Sequence, residues 1–91
     1  MSEVYDNVAE SRFELEVEAT LAFAAYRRAG GIVTFTHTVV PEAIEGRGIG
    51  KRLIGGALKL VRQEGLKVIP VCLFVSHYLD KHPEERDLLA P

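Results

Sequence analysis

The hydrophobic pattern divides the chain into strands first and helices later. In "RFELEVE" (Arg12–Glu18), Phe13, Leu15 and Val17 alternate with Glu14, Glu16 and Glu18. A period of two reads as a half-buried strand with its acidic residues in water. "LAFAAYRR" follows after Ala19 and Thr20 and reads as a second strand, antiparallel to the first. Ala29-Gly30-Gly31 supplies the next turn, and "IVTFTHTVV" is a third strand rich in β-branched and aromatic residues. Its alternation places Val33, Phe35, His37 and Val39 on one face, with Thr34, Thr36 and Thr38 on the other. Pro41 ends it.

From Ile49 the period changes. Ile49, Leu53, Ala57 and Leu60/Val61 recur at helical spacing, while Lys51, Arg52, Lys59 and Arg62 fall mostly elsewhere on the wheel. That is the signature of an amphipathic helix, with Gly65 as its C-terminal stop. "LKVIPVCLFV" is then nearly continuously apolar, as expected of a fourth strand buried on both faces. Such a strand needs a helix on each side. "SHYLDKH" makes a short second helix, with Ser76 as N-cap and Pro83 just past its end. The expected fold is α+β: an antiparallel-dominated sheet of about four strands, a long helix after the third strand and a short C-terminal helix.

Composition narrows the class. The 91 residues make a single domain, 1–91. A chain this short buries only about 60–65% of its unfolded surface, so its core is one sheet and a helix or two. Hydrophobic residues at 47% and charged residues at 26% suit an ordered globular protein. The net charge of −2 argues against broad electrostatic binding of nucleic acid. "MSEVYDNVAESRFELE" is acidic and lacks the apolar segment of a secretory signal. The longest apolar run, "VIPVCLFV", is far shorter than the roughly 20 residues that span a bilayer. A single cysteine excludes an internal disulfide and multi-cysteine zinc sites, and His77 and His82 are poorly spaced to share a helical face. The expectation is a soluble cytoplasmic protein with no metal, no membrane and no nucleic-acid partner.

"EGRGIGKRL" (Glu45–Leu53) places Gly46, Gly48 and Gly50 at alternate positions directly ahead of the long helix. Inside a helix glycine is worse than alanine by roughly 0.5–1 kcal/mol. A flexible surface loop is one explanation. The other is an anion site: the first N–H groups of a helix lack internal partners, the dipole adds about half a positive charge, and glycine leaves no Cβ in a phosphate's way. A Walker loop fails because Glu45 stands where its first glycine belongs and Arg52 where Ser or Thr should be. A G-x-G-x-x-G fingerprint fails because its third glycine would fall at Lys51 or Leu53. On residue type alone, Cys72 reads as a small core hydrophobe and His37 as a core histidine. The alternative is a thiol and a base at a reaction centre.

The loop resembles the pyrophosphate loop of the GNAT superfamily of N-acetyltransferases, Gln/Arg-x-x-Gly-x-Gly/Ala at the start of a helix that follows a strand. Gly48 and Gly50 match its glycines, and Glu45 stands at the Gln/Arg position. "HTVVPEAIEGRGIGKRL", "VIPVCLFV" and "HPEERDLL" together look like the short single-domain GNAT-like family, over Arg12 to Leu89. The resemblance implies an N-acetyltransferase that uses acetyl-coenzyme A. Its pyrophosphate would lie on Gly46, Arg47, Gly48, Ile49, Gly50 and Lys51, with Arg52 reaching the phosphates. Its pantetheine would run along a Val68–Leu73 strand, beside Val39, Pro70 and Cys72. The resemblance also implies His37 as base and Cys72 as nucleophile or acid, and Tyr78 is a candidate donor to the departing thiolate. Transfer would be direct, or would pass through an acetyl-cysteine. The acceptor is an amine, on a protein or a polyamine, and the protein a monomer or weak homodimer. The alternative is a coenzyme A-binding or interaction module without turnover.

Overall fold

Five strands form one mixed sheet in the order β1-β2-β3-β4-β5, in a computed structural model that describes residues 3–91. Met1 and Ser2, counted in the expected domain of 1–91, lie outside the described residues. The elements are β1 (Tyr5–Asn7), β2 (Arg12–Val17), β3 (Thr20–Ala29), β4 (Ile32–Val39), α1 (Ile49–Gln63), β5 (Lys67–Pro70) and α2 (Leu73–Lys81). Short 3-10 turns lie at Val8–Glu10, Glu42–Ile44 and Pro83–Leu88. The sheet thus has five strands where about four were expected, because β1 spans 3 residues and is too short to show a period. Its pairing with β2, β2 with β3 and β3 with β4 is antiparallel, whereas β5 runs parallel to β4. The α1 crossover makes that parallel return.

The β2–β3 and β3–β4 hairpins turn through left-handed backbone. Gly30 and Gly31 have φ 58° and 78°, and Ala29 pairs directly with Ile32. This is the twist-matched two-residue turn that glycine favours. Between β2 and β3 the same geometry falls on Glu18 and Ala19, φ 50° and 62°. The turn therefore sits one residue earlier than expected, and Thr20 opens β3 opposite Val17.

A β-bulge in β4 overturns the expected facing of that strand. Tyr26 pairs with Phe35 but Ala25 pairs with His37, so Thr36 is the extra residue. Val33 and Phe35 are fully buried with Phe13 and Tyr26. Past the bulge the alternation is reset. Thr38 comes opposite buried Ala24 on the core side, and His37 and Val39 come opposite Ala25 and Phe23 on the other face. His37 is exposed, and it is not a core histidine.

The apolar run after α1 also divides differently from the expectation. The strand stops at Pro70, which has no N–H to continue a ladder. The Cys72 N–H turns instead to the Phe35 carbonyl at 2.9 Å, and Cys72 is the N-cap of α2. Ser76 lies inside that helix, donating its N–H to the Cys72 carbonyl at 3.0 Å. Val68 is buried, but Ile69, Val71 and Leu73 are 40%, 60% and 72% exposed, so the segment is not covered on both faces. Leu89 and Ala90 lie alongside Val68, which covers part of the outer edge of β5.

Helix α1 closes the core with Ile49, Leu53, Ile54, Ala57, Leu58 and Val61, each large side chain worth about 1.5–3 kcal/mol of burial. It ends as expected at Gly65 (φ 69°), with Gly65 N–H donating to Arg62 and Leu66 N–H to Val61, both carbonyls.

One polar residue breaks the solvent-facing pattern of β2. Glu14 is 2% exposed. Its carboxylate accepts from the Tyr5 hydroxyl, from Asn7 Nδ2 at 3.0 Å and from Arg12 Nε at 2.5 Å. Burial by itself would push its pKa up, but those three donors outweigh it and hold the carboxyl below its ordinary value. Ionised Glu14 therefore stabilises the fold above the ordinary carboxylate range of about 4.3, and that contribution is lost as the pH falls through the lowered value. Glu14→Gln should lower Tm at pH 7 and flatten the acid limb of Tm between pH 2 and 7. An acid limb identical to wild type would show that Glu14 is not the linked group.

Candidate functional site

The three glycines ahead of α1 answer to two different constraints. Gly46 and Gly48 have φ 78° and 69°, and a Cβ added at either would meet nothing within 4 Å. They are needed for backbone conformation, and the space in front of them is open. Gly48 is the N-cap of α1 and offers no side chain to its amides. Gly50 is already helical, and a Cβ there would come within 2.4 Å of the Phe74 ring. It is needed for packing between α1 and α2.

The first main-chain bond of α1 runs from Arg52 N–H to the Gly48 carbonyl at 3.1 Å, and among the described residues the N–H groups of Ile49, Gly50 and Lys51 have no main-chain acceptor. They border a cavity of about 330 Å³ lined also by Val40, Glu45 and Phe74. Of the three cations expected to serve this loop, Arg47 is paired with Glu18 at 2.7 Å and Arg52 with Glu3. Exposed pairs of this kind contribute only about 0.2–1 kcal/mol and yield readily to a polyanion. Arg47 holds the Glu18 carboxyl below its ordinary range. Lys51 has no carboxylate partner among the described residues.

Beside the loop the sheet parts. Pairing of β4 with β5 ends at Phe35 and Pro70, while Thr36–Val39 are held by β3 alone. Buried Cys72 stands at this opening, its Sγ 3.4 Å from Thr38 Oγ1. His37 lies on the other face, with Nδ1 3.3 Å from Thr36 Oγ1 and its ring edge-on to Phe23 at 6.1 Å. Arg12 stacks over the same Phe23 ring at 4.6 Å. The structure thus brings Cys72 to Thr38 and not to His37. Thr38 and Phe74 are not among the expected site residues: the bulge hides the first, which the alternation puts on the face away from His37, and the assignment of its segment to a strand hides the second.

A second cavity, of about 460 Å³, continues from the first along α2 and is lined by Lys51, Phe74, His77, Tyr78, Lys81 and His82. Lys51 and Phe74 line both. The Tyr78 and His82 rings stack at 3.9 Å and 12°, and His82 Nδ1 lies 2.8 Å from the Tyr78 carbonyl, to which it donates. The Tyr78 hydroxyl lies against Gly55, 3.0 Å from where a Cβ would be. Burial raises the phenol's pKa, and Glu85 and Glu84 raise it further, so the hydroxyl stays protonated at neutral pH. Among the described residues no group of His, Cys, Asp or Glu is arranged to hold a metal ion, and no helix is long and apolar enough to cross a membrane.

A family model described as GCN5-related N-acetyltransferase matches residues 12–88. The chain belongs to that family. Protein NATD1 of chicken (Gallus gallus) is 42% identical over 52 residues, 57% of this chain and 47% of that protein. Protein NATD1 of zebrafish (Danio rerio) is 36% identical over 56 residues, 62% of this chain and 51% of that protein. The match thus spans about half the length of these relatives. A GCN5-like protein from Staphylococcus aureus, solved in solution by NMR, superposes with TM-score 0.71 at 29% identity over 99% of this chain and 91% of its own. Family and fold therefore agree, and the α+β architecture with a mixed sheet is that of a GCN5-like protein.

The Gly50–Phe74 contact makes a specific demand. Gly50→Ala should destabilise by about 1–3 kcal/mol, as overpacking does, even though alanine is the better helix former. Adding Phe74→Ala should recover part of that loss in a double-mutant cycle followed by urea melts. Additive effects would show that the ring does not restrict residue 50.

Proposed function

We propose that the protein is an acetyl-coenzyme A-dependent N-acetyltransferase acting on an amine. The observation that carries this is the junction of two features: amides behind an open glycine turn and a strand edge beside them, neither of which has a main-chain partner among the described residues. The pyrophosphate is assigned to the Gly46–Lys51 amides, with Lys51 as the loop cation that has no carboxylate partner among the described residues. The pantetheine is assigned to the opening between Thr36–Val39 and the Val71–Cys72 segment. The sequence reading had it along a Val68–Leu73 strand, but the strand ends at Pro70. Both parts are needed energetically. Four charge-assisted bonds at about 1.5–3 kcal/mol each must offset an association cost of about 4–15 kcal/mol, and micromolar affinity requires about 8 net.

Direct transfer fits the geometry better than an acetyl-cysteine. Without an imidazole beside it, the Cys72 thiol lacks the base that nucleophilic catalysis calls for. His37 stands on the opposite face of the parted strand, where it is available to an incoming amine. In this reading the amine nitrogen attacks the acetyl carbonyl, the C–N bond forms and the C–S bond breaks. His37 takes the amine's proton and the thiolate of coenzyme A leaves, to be protonated from water.

Calorimetric titration with acetyl-coenzyme A should give micromolar binding that Gly48→Val weakens at least about tenfold, since valine at φ 69° strains the turn that presents the helix amides. Absence of binding to the wild type would overturn the proposal. Once an acceptor is in hand, Cys72→Ser should retain turnover, and mass spectrometry of the wild type should find no acetylated cysteine. Trapping of that adduct would select the two-step route instead.

A further inference from the structure

We infer that Thr36, the extra residue of the β4 bulge, is a positioning residue: its hydroxyl sets the tautomer of His37, so that Nε2 carries the lone pair that receives the amine's proton. The inference rests on the function proposed above, from which it takes the role of His37 as base. A threonine hydroxyl has one proton to donate and lone pairs with which to accept. That of Thr36 lies 3.2 Å from the Ala25 carbonyl oxygen, which can only accept, so its proton points there. Its second contact, at 3.3 Å, is with His37 Nδ1. There the hydroxyl must accept, so Nδ1 bears the hydrogen and Nε2 is left with the lone pair. In the opposite tautomer Nδ1 would also need the Thr36 proton, and one of the two bonds would be lost.

The bulge makes this arrangement possible. Ala25 pairs with His37 and Tyr26 with Phe35, so Thr36 has no residue of β3 opposite it and its side chain bonds across to the Ala25 carbonyl. The imidazole has a further support in Phe23, edge-on at 6.1 Å and 78°. Phe23 lies under the Arg12 guanidinium at 4.6 Å, and Arg12 is held by the buried Glu14 carboxylate at 2.5 Å. The buried carboxylate thus anchors, through Arg12, the aromatic ring against which the imidazole rests. Among the described residues Thr36 Oγ1 is the only hydrogen-bonding partner of the His37 ring, which leaves Nε2 unengaged on an exposed side chain. A base needs its lone pair within reach of the proton it takes. On Nδ1 that lone pair would already be engaged by the Thr36 hydroxyl. When Nε2 takes the amine's proton, Nδ1 keeps its own and continues to donate to Thr36 Oγ1. The same bond serves the neutral and the charged ring, and neither side chain has to turn during the transfer.

The test is a long-range proton–nitrogen correlation spectrum of the isotope-labelled protein at about pH 8.5, above the ordinary imidazole value of about 6.5. It reads which ring nitrogen of the neutral side chain bears hydrogen, and a His37→Asn sample identifies the signal among the three histidines. Thr36→Val and Thr36→Ala remove the hydroxyl and Thr36→Ser keeps it, with thermal melts to show that each variant folds. The ratio of the Nδ1–H to the Nε2–H form should be about two- to tenfold higher in the wild type than in the valine and alanine variants, the effect of one neutral hydrogen bond. Thr36→Ser should retain most of that difference. Equal ratios in the wild type and the variants without a hydroxyl, or a serine variant that behaves like them, would overturn the inference. The spectrum is recorded without cofactor, so that result would leave the proposed function standing. Absence of acetyl-coenzyme A binding in the calorimetric titration would overturn the proposed function, and with it the role of His37 as base, whatever the tautomer.

Discussion

The structure depends on a single inserted residue in β4. Because Thr36 is unpaired, the strand before it and the strand after it present opposite sets of side chains to the core. Before the bulge, Val33 and Phe35 fill the interior. After it, Thr38 takes the inner side and meets the Cys72 thiol, and His37 is turned out beside Phe23. At the same point β4 loses its partner on β5, since the last pair is Phe35 with Pro70. Register, facing and an open strand edge are thus fixed by one local irregularity. A bulge adjoining a reaction site is a common device for re-aiming side chains.

The start of α1 uses glycine for two purposes that a loop would not combine. Left-handed backbone at Gly46 and Gly48 bends the chain so that the first amides of the helix face open space, and the missing Cβ at Gly50 lets Phe74 of α2 seat against the same turn. The helix end with open amides is therefore also where the two helices are joined. Local electrostatics follow from who is already paired. The two nearby arginines are engaged by Glu18 and Glu3, whereas Lys51 has no carboxylate partner among the described residues and lines both cavities.

The N-terminal strand shows how much of a small fold rests on polar contacts that burial makes decisive. β1 is held by three paired residues with β2. Tyr26 donates to Asp6 at 2.5 Å, its pKa pushed up to about 12 by burial and that carboxylate, and Glu14 gathers Tyr5, Asn7 and Arg12. Arg28 bridges Asp6 and Glu64 and so ties β1 to the end of α1. A buried carboxylate is tolerated only when its acceptor sites are filled, and here donors from two strands fill them.

What depends on neighbours along the chain is legible in the residues alone. Alternation gave β2, β3 and the first half of β4. Helical spacing gave α1 with its Gly65 stop, the paired glycines gave the hairpin turn, and the ordered motifs gave the family. The glycine run pointed to an anion site because turn geometry and free helix amides are local properties. Tertiary structure decided what depends on partners distant in sequence. A bulge is defined only by the strand opposite, so the facing of His37 and Thr38 was not legible. β1 exists only because β2 is there to pair with it. The apolar run after α1 satisfies strand and helix patterns equally, and it divided at Pro70 because the Phe35 carbonyl captured the next free amide, that of Cys72. Glu14 reads as a solvent residue until donors from another strand enclose it. Period and turn chemistry are written along the chain, while facing, enclosure and the joining of two cavities are set by contacts between segments.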